Sequence, residues 1–99
     1  MKWHTLLYFG ESAAKQRVKI VHDLEHKKVN FGVFVIILSV NGKDLFDIIP
    51  GYMLQKEIYR DAPILGVAVT KEEAYEVCEK MIQDVHARTG GYDVRSYFQ

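Results

Sequence analysis

The sequence has a single cysteine, two prolines and no excess charge of either sign, since thirteen basic side chains balance thirteen acidic ones. The lone thiol, Cys78, excludes an intramolecular disulfide, and the N-terminus lacks the basic-then-apolar pattern of a secretory signal. The expected setting is therefore cytoplasmic. The longest apolar runs, such as Phe34–Leu38, fall far short of the roughly 20 residues a helix needs to cross a bilayer, so no membrane partner is expected. A nucleic-acid partner is not expected either, because such binders usually carry a basic excess to neutralise phosphates. A formal net charge of zero also weakens repulsion between copies, which makes a homo-oligomer, or another protein, the expected partner. No GxGxxG or Walker A sequence occurs, nor any internal repeat, and no cofactor is implied.

What is present is enough apolar material for a core. Ninety-nine residues, 48% hydrophobic and 26% charged, correspond to one globular domain spanning residues 1–99. Trp3–Phe9 mixes aromatic, Thr and Leu residues and stops at Gly10, as a strand buried on both faces would. From Glu11, apolar residues recur at helical intervals through Ala14, Val18, Val21 and Leu24 to about Lys28, with Ser12 as N-cap. Residues 31–40 (FGVFVIILSV) form the clearest strand, apolar at consecutive positions like the centre of a parallel sheet.

Asn41-Gly42 supports two readings. It can close a hairpin onto residues 44–49, because both residues tolerate positive φ. Otherwise it leads into a helix, and the spacing of Leu45, Phe46, Ile48, Ile49, Met53, Leu54 and Ile58 favours this second reading. The expectation is a short turn over 44–49 and a helix over 51–59, with Pro50 near its first turn. Asp61-Ala62-Pro63 is a turn, and residues 64–69 (ILGVAV) form another buried strand in which Gly66 marks a close approach. Thr70-Lys71-Glu72-Glu73 is a capping box, with the Glu73 carboxylate expected to return to the Thr70 amide. The helix it starts carries an apolar stripe through Ala74, Val77, Cys78, Met81, Ile82 and Val85 and ends at Gly90-Gly91. Residues 92–98 then alternate in the manner of a half-exposed edge strand.

The predicted fold is α/β, in the order β-α-β-α-β-α-β, with a mostly parallel four-stranded sheet packed by three amphipathic helices. In such sheets ligands collect beyond the carboxyl ends of the strands. The loops that would meet there contain Glu11 and Ser12, then Asn41 and Asp44, then Thr70. Capping and turn formation account for Ser12, Thr70 and Asn41 equally well. Glu11 and Asp44 are the only acid-base candidates so placed, and neither has a recognisable partner. His22 and His26 have the four-residue spacing of a metal pair, but share a polar face with Lys15 and Lys19, so no metal site is predicted. Arg17 and Lys28 fall near the apolar stripe of the first helix, where each either snorkels or, in the case of Arg17, needs a carboxylate or bound anion. Cys78 reads as a buried hydrophobe, and neither His4 nor His86 has a triad partner nearby in sequence. Tyr92, Arg95, Tyr97 and Phe98 are residue types enriched at interfaces, and the edge strand they would form offers unpaired backbone groups to another chain.

The segments Leu7-Tyr8-Phe9-Gly10-Glu11-Ser12, Asp47-Ile48-Ile49-Pro50, Gly66-Val67-Ala68 with Glu73-Ala74, and Thr89-Gly90-Gly91-Tyr92-Asp93-Val94-Arg95 give a resemblance to a small family of uncharacterised bacterial single-domain proteins. The resemblance implies one whole natural domain and carries no activity, substrate or partner. The residues themselves favour a non-enzymatic interaction or regulatory module that self-associates. The alternative is a small-molecule or anion-binding domain with its site near Ser12, Asn41 and Thr70.

Overall fold

The computed structural model describes residues 2–26 and 32–99. Along the chain these form β1 (Trp3–Phe9), α1 (Glu11–Ala14), α2 (Arg17–Glu25), β2 (Phe34–Leu38), β3 (Phe46–Pro50), β4 (Ile64–Ala68), α3 (Lys71–Thr89) and α4 (Val94–Phe98). Two 3-10 turns, Gly51–Gln55 and Glu57–Tyr59, carry the chain from β3 to β4. The four strands lie in the order β1-β4-β2-β3. Only β1 and β4 run parallel; β2 is antiparallel to both of its neighbours.

This mixed sheet with four helices overturns the mostly parallel sheet with three. The cause lies at residues 39–45, where the chain turns back as a hairpin instead of entering a helix. Asn41 organises the turn, its Oδ1 accepting from Ser39 Oγ, Lys43 N and Asp44 N, while Gly42 supplies a φ of +73°. β3 then pairs with β2 from Leu38↔Phe46 to Phe34↔Pro50. Its apolar residues come in adjacent pairs because the strand is half-covered on both faces, and that grouping imitates helical spacing. Phe46 and Ile48 pack on one side of the sheet and Ile49 on the other.

Two cores result. Ala13, Ile20 and Leu24 of α1 and α2 close over Val35, Ile37 and Val67 on one face. Ala74, Val77, Met81 and Val85 of α3 close over Ile36, Leu65 and Ala68 on the other. The close approach expected at Gly66 is real, since a Cβ there would meet Met81 Cε at 2.8 Å and both Ile36 Cδ1 and Val77 Cγ1 at 3.1 Å. The first helix is broken at Lys15-Gln16 into α1 and α2, and Lys28 lies outside the described residues. Among the described residues no helix is long and apolar enough to cross a membrane.

Residues 92–98 are not an edge strand. Asp93 caps a single helical turn by accepting from Ser96 N, and Val94 and Phe98 turn inward to exposures of 1% each. Two inward residues four apart satisfy a period of two and a period of 3.6 alike, which is why the alternation misleads. Phe98 lies edge-on to His4, Tyr8, Phe46 and Tyr97, with ring centroids 5.0–6.5 Å away. Phe98→Ala is expected to cost about 3–5 kcal/mol in chemical denaturation, the range for truncating a buried aromatic. A loss below about 1 kcal/mol would instead fit a solvent-facing strand.

Candidate functional site

Because β1 and β4 are parallel neighbours, the loops that follow them meet at one end of the sheet. There the Glu73 carboxylate does not return to Thr70. It reaches across to the start of α1, accepting from Ser12 N at 3.1 Å and Ala13 N at 3.2 Å, and also from Val69 N at 3.2 Å. The other half of the capping box holds, with Glu73 N donating to Thr70 Oγ1 at 3.0 Å. Gly10 makes the arrangement possible, because any Cβ at that position would overlap the Glu73 side chain. Burial opposes ionisation of Glu73, yet the amides of Val69, Ser12 and Ala13 hold its carboxyl below the ordinary range. Three of the amides at this end, those of Ser12, Ala13 and Val69, thus serve the protein's own carboxylate.

Asn41 and Asp44 do not join Ser12 and Thr70. β2 runs against β4, pairing Phe34 with Ala68 and Ile36 with Gly66, so its carboxyl end points to the opposite side of the sheet. The loops therefore separate into two groups, and the three-loop site dissolves. Glu11 and Ser12 are exposed, and Glu11 lines a small cavity of about 160 Å³ with Glu73, Glu76 and Lys80. Behind it, Tyr8 donates from its hydroxyl to Asp84 Oδ2 at 2.7 Å, and Lys80 pairs with Asp84 at 3.2 Å. Burial and the Asp84 carboxylate push the Tyr8 hydroxyl above its ordinary pKa, so it stays protonated as a donor.

The remaining candidates have local explanations. Arg17 is exposed and not held inward, so it calls for no buried carboxylate or anion, and its guanidinium lies 4.8 Å from the centre of the Phe9 ring in a cation-π contact. His22 and His26 stack at 4.1 Å, with His26 Nδ1 against the His22 carbonyl, and no group of potential metal ligands occurs among the described residues. Burial pushes the half-buried Cys78 thiol up to about 11, far from a reactive thiolate. His4 accepts from Leu6 N at Nδ1, so Nε2 carries the proton donated to the Phe98 carbonyl. Exposed Tyr92 stacks on His86, half-buried Tyr97 packs on Phe98, and Arg95 donates to the Ser39 carbonyl, tying α4 to the hairpin.

The feature not anticipated is the outer edge of β3. Gly51 N donates to Val33 O and Ser39 N to Leu45 O, which sets the phase of the ladder. Residues 45, 47, 49 and 51 thus turn their backbone groups to β2, and Phe46, Ile48 and Pro50 turn theirs away from the sheet. Beside this edge runs a groove of about 500 Å³ whose walls include Val40, Asp47, Ile48, Tyr59, Lys71 and Tyr75. Val40 and Tyr75 are exposed apolar residues along it. The sequence signals for this edge were Asn41-Gly42 and the proline of β3, a residue tolerated in sheets mainly at edges. The opposite edge, β1, is irregular: its pairing shifts register between Trp3 and Tyr8, and His4 covers the Leu6 amide.

Comparison with known proteins found no matching family model, no similar curated protein and no similar solved structure.

Glu73→Gln places an NH2 group among backbone donors. It is expected to cost about 1 kcal/mol at neutral pH, the low end for hydrogen bonds to a charged group because Glu73 is only partly buried. The folded pKa of Glu73 is lowered, so its contribution is complete above the unfolded value near 4.5 and is lost as pH falls through the folded value. Denaturation of wild type and variant should therefore differ at pH 7 and converge in acid. A difference independent of pH would remove the carboxylate from this role.

Proposed function

We propose that this protein is a non-enzymatic, cytoplasmic interaction module that binds an extended chain segment by adding it as a strand to the edge of β3. The observation that carries the reading is the outward row of backbone groups at Phe46, Ile48 and Pro50, flanked by a groove that mixes apolar side chains with Asn41, Asp47 and Lys71. Strand addition draws its affinity from main-chain hydrogen bonds and its selectivity from alternate side chains, and β3 supplies both. Exposed Val40 and Tyr75 give an incoming strand apolar surface on which to rest.

An anion-binding reading has less support, because the amides of Ser12, Ala13 and Val69 already serve Glu73. An acid-base reading has less still. Glu11 and Asp44 stand at opposite ends of the sheet, and the titratable cluster at Tyr8 consists of satisfied structural bonds. The cytoplasmic setting is supported by the single thiol.

The test is a chemical-shift titration of dilute, isotope-labelled protein with a synthetic peptide of residues 44–51 as the extended probe. The largest shifts are expected at the amides of Phe46 and Ile48. Absence of shifts along β3, or shifts confined to Ser12 and Thr70, would contradict the reading.

A further inference from the structure

We propose that the strand added to β3 is β3 of a second copy of this chain, antiparallel to it about a two-fold axis through Ile48. This rests on β3 being the docking edge. The two four-stranded sheets would join edge to edge into one continuous sheet.

The edge is short in donors. Pro50 has no N–H, so the outward row offers the amides of Phe46 and Ile48 and the carbonyls of Phe46, Ile48 and Pro50. A long foreign strand would meet a missing donor at the proline. A second β3 has the same length and the same gap, and can be set so that both gaps fall against groups that do not need filling. With Ile48 facing Ile48 of the second copy, each Ile48 amide donates across the axis. Each Phe46 amide then donates to the Pro50 carbonyl opposite, and every free donor is used. Only the Phe46 carbonyl is left to water.

The competing symmetric register, centred on Asp47, uses the same donors but sets the two Asp47 side chains directly opposite each other. That is a non-hydrogen-bonded pair with Cα atoms about 4.5 Å apart, where like charges repel. Centring on Ile48 instead places Asp47 against Ile49 of the second copy. It also employs all of β3 and stacks Phe46 on the opposing proline.

Charge agrees with this arrangement. Lys71 lines the groove, makes no ion pair among the described residues, and follows β4, whose Ala68 pairs with Phe34 and so stands near the Pro50 end of β3. The antiparallel two-fold brings that end alongside the Asp44 and Asp47 end of the other copy, so the surface is complementary to itself. Zero net charge adds no overall repulsion between copies. On the α3 side of the seam, Phe46, Ile48 and Tyr75 from both copies come together and lose their exposure.

Sedimentation velocity of the full chain at high micromolar concentration is expected to show a dimer. Ile48→Pro should stay folded by circular dichroism, since the same strand already holds a proline facing outward, and should sediment as a monomer where wild type is dimeric. Mild oxidation provides an independent readout in a Cys78→Ser background. The facing Ile48 Cα atoms would lie about 5.5 Å apart, within disulfide range. Ile48→Cys should therefore crosslink into reducible dimers at least tenfold faster than Leu45→Cys, and faster than Asp47→Cys. A dimer that survives Ile48→Pro, or fastest crosslinking through position 47 or 45, would overturn the proposal. A strict monomer would also overturn it, while shifts at Phe46 and Ile48 with the peptide would leave the strand-addition reading standing.

Discussion

The antiparallel pairing of β3 on β2 is the constraint on which the rest of the molecule depends. It reverses the chain at Asn41, so that β2 runs against β4 and the sheet becomes mixed. From that reversal follow the separation of Asn41 and Asp44 from Ser12 and Thr70, and the passage through two 3-10 turns back to β4. The same pairing leaves β3 at the margin, with half of its backbone groups unused by the sheet. Had residues 44–59 formed a crossover helix joining parallel β2 and β4, the loops after those two strands would have met at one end of the sheet.

Long-range ties of different kinds hold the helices to that frame. Glu73 joins the start of α3 to the start of α1, and it does so with charge: an ionised carboxylate against backbone donors is stronger than a neutral pair and depends on pH. Phe98 seats α4 beneath β1 and β3 chiefly by burial, which is strongly sensitive to truncation, while its carbonyl accepts from His4 Nε2. Arg95 reinforces this seat by reaching the Ser39 carbonyl at the root of the hairpin. The C-terminal turn therefore supports the same hairpin that exposes the edge.

Legibility in the sequence followed the range of the interactions involved. β2 and β4 were visible because apolar, β-branched runs report burial locally. β1, by contrast, lies at a sheet edge with Thr5 and Leu6 exposed and is not the strand buried on both faces that its composition suggested. The N-cap at Thr70 and the end of α3 at Gly90 were visible because caps involve residues a turn apart. β3 was not, since a strand half-covered on both faces groups its apolar residues as a helix does. α4 was hidden because Val94 and Phe98 fit two periods at once. Of the candidate site, the proximity of Ser12 to Thr70 could be foreseen from adjacent parallel strands. The occupation of that place by Glu73 could not, because its acceptor role links positions about sixty residues apart, and Gly10 was the only local trace of it. The contact of exposed Arg17 with the Phe9 ring likewise joins two elements.

The functional account thus moves away from the carboxyl ends of the strands and onto a sheet margin. Its central claim is that Phe46 and Ile48 present free backbone donors along an open β3. Residue-resolved amide hydrogen exchange on protein diluted until it sediments as a monomer tests this most directly, because exchange distinguishes amides bonded within the sheet from those facing water. The account predicts alternation, with slow exchange at Asp47 and Ile49 and fast exchange at Phe46 and Ile48. Uniform protection from Phe46 to Ile49 would contradict it, for that is the behaviour of a helix or of a strand already enclosed on both sides.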